Sequence, residues 1–202
     1  MTQDERKELI LCLKIEFSDG LGGYYKQKLG MKEQHIILYV GQFVYRKGID
    51  VLIKATKRLT SEYGVYLVGG VPTQEYLDMQ KNINNLHFVG FKSKTELAEF
   101  YKAADVFVLP TREDIWGLVI NEAMAYGLPV ITTTTCGSGR ELISDDINGY
   151  LVQPDNEDEL CKAILTLCND RLKREKIAEN NYNKIYKYTI ENMAAIHAEV
   201  FE

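Results

Sequence analysis

From residue 36 onward, short apolar runs rich in β-branched residues alternate with longer stretches in which apolar residues recur at threes and fours. The runs "IILYVG" (36–41), "VYLVGG" (65–70), "LHFVGF" (86–91), "DVFVLP" (105–110) and "LPVITT" (128–133) are apolar on both alternating faces. That is the pattern of strands covered by helices on both sides, and it predicts a parallel sheet. A sixth short strand, "GYLV" (149–152), follows. Between the strands, "IDVLIKATKRLTSEY", "TQEYLDMQKNI", "SKTELAEFYKAA" and "GLVINEAMAYG" read as crossover helices, with Ser93 and Glu96 spaced as a capping box. After "NEDELCKAILTLCND" the chain stays helical and rich in Lys, Asn and Tyr to its end. The expected fold is α/β, a doubly wound Rossmann-like parallel sheet of about six strands with helices on both faces and a helical carboxyl-terminal tail.

The start of the chain does not follow the repeating unit. "LILCLKIEF" alternates like a strand, "SDGLGG" reads as a flexible break, and "YYKQKLG" is helical in period. Residues 1–23 are therefore expected to be a leader or linker, residues 24–180 the Rossmann-like domain, and residues 181–202 a closing helix.

Composition narrows the partners. The 202 residues are 46% hydrophobic, and 24 Lys plus Arg stand against 29 Asp plus Glu, for a net charge of −5. A broad nucleic-acid surface is disfavoured, so any anion site has to be built locally. The amino terminus carries acids where a secretory signal needs a basic region, and no apolar run approaches the roughly 20 residues of a membrane span. A cytoplasmic location is expected. Cys12, Cys136, Cys161 and Cys168 form no C-x-x-C pair, and three histidines lie far from them in sequence. On one helix Cys161 and Cys168 would stand about 10 Å apart along the axis, too far for a disulfide. Free thiols and no metal are expected.

In an open parallel sheet, ligands bind beyond the carboxyl ends of the strands. The first such loop, "GQFVYRKGID", is neither G-x-G-x-x-G nor a Walker A sequence, which disfavours a dinucleotide dehydrogenase and a P-loop NTPase. Arg46 and Lys47 precede a predicted helix at the positive end of its dipole, where each cation costs about 0.3 to 1 kcal/mol. Either they bend into water or an anion lies between them. The stretch "REDIWGLVINEAMAYGLPVI" carries Glu122 as the one charge in an otherwise apolar helix. If that helix is largely covered, an unpaired carboxylate costs several kcal/mol, so Glu122 requires either a protein partner or a ligand with hydroxyls to donate, a salt bridge to Lys or Arg being the bland alternative. Asp114 reads first as a helix N-cap. Gly117 allows close approach of a ligand, with the Leu118 and Val119 amides facing any anion at the helix start.

Taken together, "DIWGLVINEAMAYGLPVI", "ILYVGQFVYRKGIDVLI", "HFVGFKSKTELAEFYKAADVFVLPT" and "CGSGRELISDDINGYLV" resemble, in order, the E-x7-E signature region and flanking motifs of the glycosyl transferases group 1 family. These are retaining nucleotide-sugar transferases of GT-B architecture. The resemblance spans roughly residues 24–200 and fits the carboxyl-terminal, donor-binding half; the amino-terminal acceptor domain has no counterpart in this sequence. It implies a hexosyltransferase of polysaccharide or glycolipid synthesis, with a UDP- or GDP-hexose as donor and no metal. The half domain alone would be inactive, and any contact with the inner membrane face would come through the absent half.

By resemblance, Lys47 with Arg46 and Gly41 meets the donor diphosphate, as do the Leu118 and Val119 amides. Asp114, Trp116 and Gly117 lie along the sugar, Glu122 takes the ribose hydroxyls, and Phe91 and Lys92 flank the base. Asp114, Lys47 and Glu122 are the expected catalytic set. Two departures stand out. Asp114 replaces the family's usual first Glu, shortening its reach by roughly 1.5 Å. Gln42 stands where many members have Arg. Glu113 is one residue out of register, and Glu141 matches a late glycine-and-acid motif without an assigned role. A non-catalytic nucleotide-sugar module and a GT-B-fold epimerase remain alternatives, although G-L-V-x-x-E-A-M-A-x-G-x-P-V favours the transferase.

Overall fold

The computed structural model describes residues 21–188. Helix α1 (Leu21–Lys28) leads into β1 (His35–Val40), a 3-10 turn (Tyr45–Lys47) and α2 (Ile49–Thr56). There follow β2 (Tyr63–Val68), α3 (Gln74–Gln80), β3 (Leu86–Val89), α4 (Lys94–Ala103), β4 (Val106–Leu109) and α5 (Leu118–Ala125). The remainder is β5 (Val130–Thr133), α6 (Gly137–Leu142), β6 (Gly149–Val152), α7 (Glu157–Cys168), α8 (Arg171–Ile185) and a closing 3-10 turn (Tyr186–Tyr188).

The six strands form one sheet in the order β3-β2-β1-β4-β5-β6, with every pairing parallel. This is the doubly wound sheet expected from the apolar runs. Burial explains why those runs are continuous rather than alternating. All of β2, β4 and β5 is buried, and so is β1 after its first residue. On one side α1 packs on α4 and α5 on α8, with Tyr101 joining α4 to α5, while α2 meets α3 and α7 on the other. Among the described residues, no helix is long and apolar enough to cross a membrane.

Several boundaries differ from the sequence expectation. The helix predicted over 49–63 ends at Thr56, and Tyr63 already opens β2. The period continues through Leu59, which is buried, but the chain has to turn to enter the sheet. Gly64 marks that entry: a Cβ there would lie 2.7 Å from the Glu33 carboxyl carbon, and Glu33 accepts hydrogen bonds from Tyr66 and pairs with His87. The expected break "SDGLGG" is in part helical, since α1 begins at Leu21. The capping box at Ser93 and Glu96 is present with both of its bonds. The strand-like run at residues 9–17 lies outside the described residues, as do Met193, Ile196 and Val200 of the expected closing helix.

The amino ends of the strands are joined by a polar knot. Asp105 accepts from Lys26 at 2.7 Å and from the Ile36 amide at 2.8 Å, fixing α1 to β1. Asn181 of α8 is fully buried and donates to the carbonyls of Leu128 and Asn148. These bonds satisfy backbone groups that the sheet leaves open, a role buried amides fill where water is excluded. Polar residues at this lower end brace the sheet and leave the upper end for the loops.

Candidate functional site

The sheet order reverses between β1 and β4, so the loops leaving these neighbouring strands lie at the switch point, beyond whose carboxyl ends open α/β sheets bind their ligands. Both loops fit together through glycine. At Gly48, φ is +67° and a Cβ would lie 1.9 Å from the Pro110 carbonyl oxygen; at Gly137 a Cβ would lie 1.9 Å from the Ile115 carbonyl oxygen. No side chain fits at either place. The β4 loop is further held by Thr111, whose hydroxyl donates to the Arg46 carbonyl at 2.8 Å, and by the Arg112 amide, which donates to the same carbonyl. From β5, Thr133 donates to the Thr111 carbonyl at 2.6 Å. From α6, the Gly137 and Ser138 amides donate to the carbonyls of Asp114 and Trp116.

Arg112 is the strongest tie between the loops, and the sequence reading passed over it. Its guanidinium is bidentate to Asp50 at 2.8 and 2.7 Å, reaches Asp155, donates to the Tyr45 carbonyl at 2.6 Å and lies 3.9 Å over the Tyr45 ring. The planar fork accounts for this many partners in one place. Burial alone would raise the Asp50 carboxyl, but its hydrogen bonds and charge contact with Arg112 outweigh that and hold it below the ordinary carboxylate range. The signal available in the sequence is the arginine that opens "REDIWG", at the carboxyl end of β4 beside two acids.

Lys47 and Asp114 come together as a direct ion pair, each side chain only 12% exposed. Water and a bound anion were the partners expected for Lys47; the structure adds a carboxylate of the protein. The ammonium carries three donors, so the pair leaves capacity for another acceptor. Arg46 is exposed, its guanidinium 3.4 Å from the Glu113 carbonyl. Glu113 is exposed too. Gly41 has φ +153° and its amide donates to the Val68 carbonyl, while Gln42 accepts from the Tyr39 hydroxyl through its own carbonyl.

Asp114 does not cap α5. The N-cap is Gly117, at φ +83°, and no side chain caps the helix. The first N–H groups of any helix lack partners within it, and of these the Ile120 amide is taken by the Gly117 carbonyl at 2.9 Å. The Leu118 and Val119 amides therefore stand at an uncapped positive helix end beside the Lys47–Asp114 pair. Trp116 is half-buried and its indole donates to Asn121 at 3.1 Å, which fixes the approach to that end.

Glu122 departs from expectation. Ile120, Ala123 and Met124 are buried, but Leu118 is 69% exposed and Glu122 is itself exposed, so α5 is covered on one face only. Glu122 is therefore not a buried charge. The carboxylate nevertheless has a partner, which is neither Lys nor Arg: the Tyr101 hydroxyl donates to its Oε2 at 2.9 Å. Phe91 (85% exposed) and Lys92, which reaches Glu96 at 3.4 Å, lie beyond β3, two strands away from β1. Glu141 accepts from Tyr188, bracing the closing turn. Among the described residues, no group of three or more His, Cys, Asp or Glu is placed to hold a metal ion.

The six-stranded parallel sheet with helices on both faces matches the Rossmann-like half of the GT-B architecture. The chain belongs to the glycosyl transferases group 1 family, whose description matches residues 24–184. It is 32% identical over 186 residues to the uncharacterized glycosyltransferase MJ1607 of Methanocaldococcus jannaschii, covering 88% of this chain and 47% of that protein. It is 28% identical over 164 residues to the lipopolysaccharide glucosyltransferase WaaG of Escherichia coli, covering 77% and 43%. Its fold superposes on the carboxyl-terminal domain of the group 1 family protein LpcC from Francisella tularensis with a TM-score of 0.72 at 28% identity, covering 83% of this chain and 92% of that one. The chain spans about half the length of the curated relatives it matches.

Acid sensitivity follows from the Arg112 clamp. A carboxyl depressed in the folded state contributes stability that is fully present above its unfolded value, about 3.9, and is lost as pH falls through the lower folded value. Asp50→Asn is therefore expected to flatten part of the fall in melting temperature on acidification from pH 5 to pH 2.5, with Glu33, depressed through its bonds to His87 and Tyr66 despite burial, supplying a further part. Thermal melts of the two proteins across that range check it, and parallel curves would refute the clamp as a source of acid lability.

Proposed function

We propose that this chain is the donor-binding part of a retaining hexosyltransferase that uses a nucleoside diphosphate sugar in polysaccharide or glycolipid synthesis. The observation that supports this best is the convergence of Lys47, Asp114 and the uncapped start of α5 at the switch point between β1 and β4. WaaG, a glucosyltransferase of lipopolysaccharide, supports the substrate class by analogy.

In this reading the diphosphate lies against the Leu118 and Val119 amides and the free donors of Lys47, with Arg46 at the margin and Gly41 leaving room. Asp114, Trp116 and Gly117 line the sugar. Glu122 takes the ribose hydroxyls, and Phe91 and Lys92 flank the base. Transfer breaks the bond between the sugar's anomeric carbon and the diphosphate oxygen, which keeps the electron pair. The acceptor hydroxyl oxygen bonds to that carbon and its proton passes to the departing diphosphate. Donors already aimed at the leaving group stabilise the charge as it develops, and no metal is needed for that.

Three outcomes test the reading by calorimetry with UDP, GDP and ADP, followed by transfer assays. Lys47→Ala is expected to weaken the best nucleoside diphosphate at least tenfold while leaving the nucleoside nearly unchanged, because an ammonium meets phosphate and not base; equal losses would refute its placement. Glu122→Gln is expected to weaken the nucleotide by about 1.5 to 3 kcal/mol, the range of a charge-assisted hydrogen bond, and an unchanged affinity would remove Glu122 from the ribose. The chain alone should bind without transferring, since positioning of an acceptor needs walls it does not supply. Acceptor-dependent transfer at about 1 per second or faster would identify a complete enzyme.

A further inference from the structure

Glu122 is exposed, yet it is not free. Among the described residues its carboxylate has one hydrogen-bond partner, the Tyr101 hydroxyl, 2.9 Å from Oε2. Tyr101 is only 2% exposed. Its ring stacks on Tyr126 with centroids 5.0 Å apart and planes 7° from parallel, and it lies 6.0 Å from Phe107 of β4. The hydroxyl is thus a donor mounted on a ring that the core and the end of α5 together hold still, aimed at a carboxylate one turn into α5. Burial, and then the neighbouring Glu122 charge, push the Tyr101 hydroxyl well above its ordinary range, so it stays protonated and can only donate to that carboxylate.

We propose that Tyr101 is a positioning residue that fixes Glu122 for recognition of the ribose diol, and so sets the preference for ribonucleotides over 2′-deoxyribonucleotides. The inference rests on the reading of Glu122 as the ribose acceptor. Its reason is the geometry of a carboxylate. The two oxygens offer about four lone-pair sites, and a diol engages them well only when the carboxylate plane has one orientation. A Glu on an exposed helix edge otherwise samples many rotamers, each of which must be given up on binding. With Oε2 tethered by Tyr101, Oε1 is left with both of its sites open and the plane is already chosen. A tether of this kind leaves the base and phosphate contacts untouched, which makes its effect separable from a general loss of binding.

The experiment is calorimetry of the chain with UDP and 2′-deoxy-UDP, and with the matching GDP and ADP pairs, for wild type, Tyr101→Phe, Glu122→Ala and the double variant. Phe preserves the ring and its stacking on Tyr126, and circular dichroism confirms the fold. Wild type is expected to prefer the ribonucleotide about tenfold. Tyr101→Phe should lose most of that preference, about three- to fivefold, by weakening the ribonucleotide while the deoxynucleotide is unchanged. In the Glu122→Ala background the same change should do nothing further, since the two residues act through one contact. A wild-type preference that survives in Tyr101→Phe overturns the positioning role alone, as does an equal weakening of both nucleotides. A wild type with no ribonucleotide preference overturns the ribose reading of Glu122 and this inference with it.

Discussion

The candidate site depends on how closely the loop after β4 can approach the loop after β1, and the guanidinium of Arg112 is the tie with the most partners in that approach. Arg112 binds Asp50 at the first turn of α2, the Tyr45 carbonyl in the turn before it and Asp155 beyond β6. Three segments far apart in sequence are thereby set against one another at the carboxyl edge of the sheet. The glycines at 48 and 137 are the necessary counterpart. Attraction through Arg112 would be useless if a Cβ at either position kept the backbones apart. A part-buried cluster of this kind is a poor source of net stability, because both ions are taken from water, but it is a good device for choosing one arrangement.

That arrangement decides the state in which Lys47 waits. Exposed cations at a helix start would repel the dipole and move in solvent. Here Lys47 is drawn to Asp114 and Asp50 sits in the first turn of α2, so the positive helix end is compensated from two sides. The replacement of the family's usual Glu by Asp at 114 bears on this directly. The shorter side chain ends on Lys47. An anion entering the site therefore competes with Asp114 for a shared ammonium, and does not meet a vacant one.

Much of this was legible in the sequence. The sheet was readable because its central strands are buried on both faces, which turns "IILYVG", "DVFVLP" and "LPVITT" into uninterrupted apolar runs. The place of the candidate site was readable because the strand order sets the β1 and β4 loops side by side at the carboxyl ends. Other features were not, for identifiable reasons. Helical period continues past Thr56 even though the chain is turning, since Leu59 still faces the core. Glu122 was assigned a partner from the assumption that an apolar helix is a covered one, whereas α5 lies at the rim, where Leu118 and Ile115 are left to solvent. Tyr101 and Arg112 were invisible because their roles arise across separations of 21 and 62 residues, to Glu122 and Asp50. No local pattern carries a contact of that kind.

The balance of charges at the site limits how it can recognise anything. Arg46, Lys47 and Arg112 are matched there by Asp50, Glu113, Asp114 and Glu122, so the edge presents no strong field of one sign, in keeping with the chain's net charge of −5. A polyanion would not be steered to it from a distance. On the proposed reading a diphosphate would be held by short-range, directed donors: two helix amides that no side chain caps and an ammonium already half engaged. Such donors are sensitive to placement in a way that net charge is not, because hydrogen bonds weaken steeply with angle. This is why the ties that set the loops, Arg112, Thr111 and Thr133, matter as much to recognition as the residues that would touch the ligand.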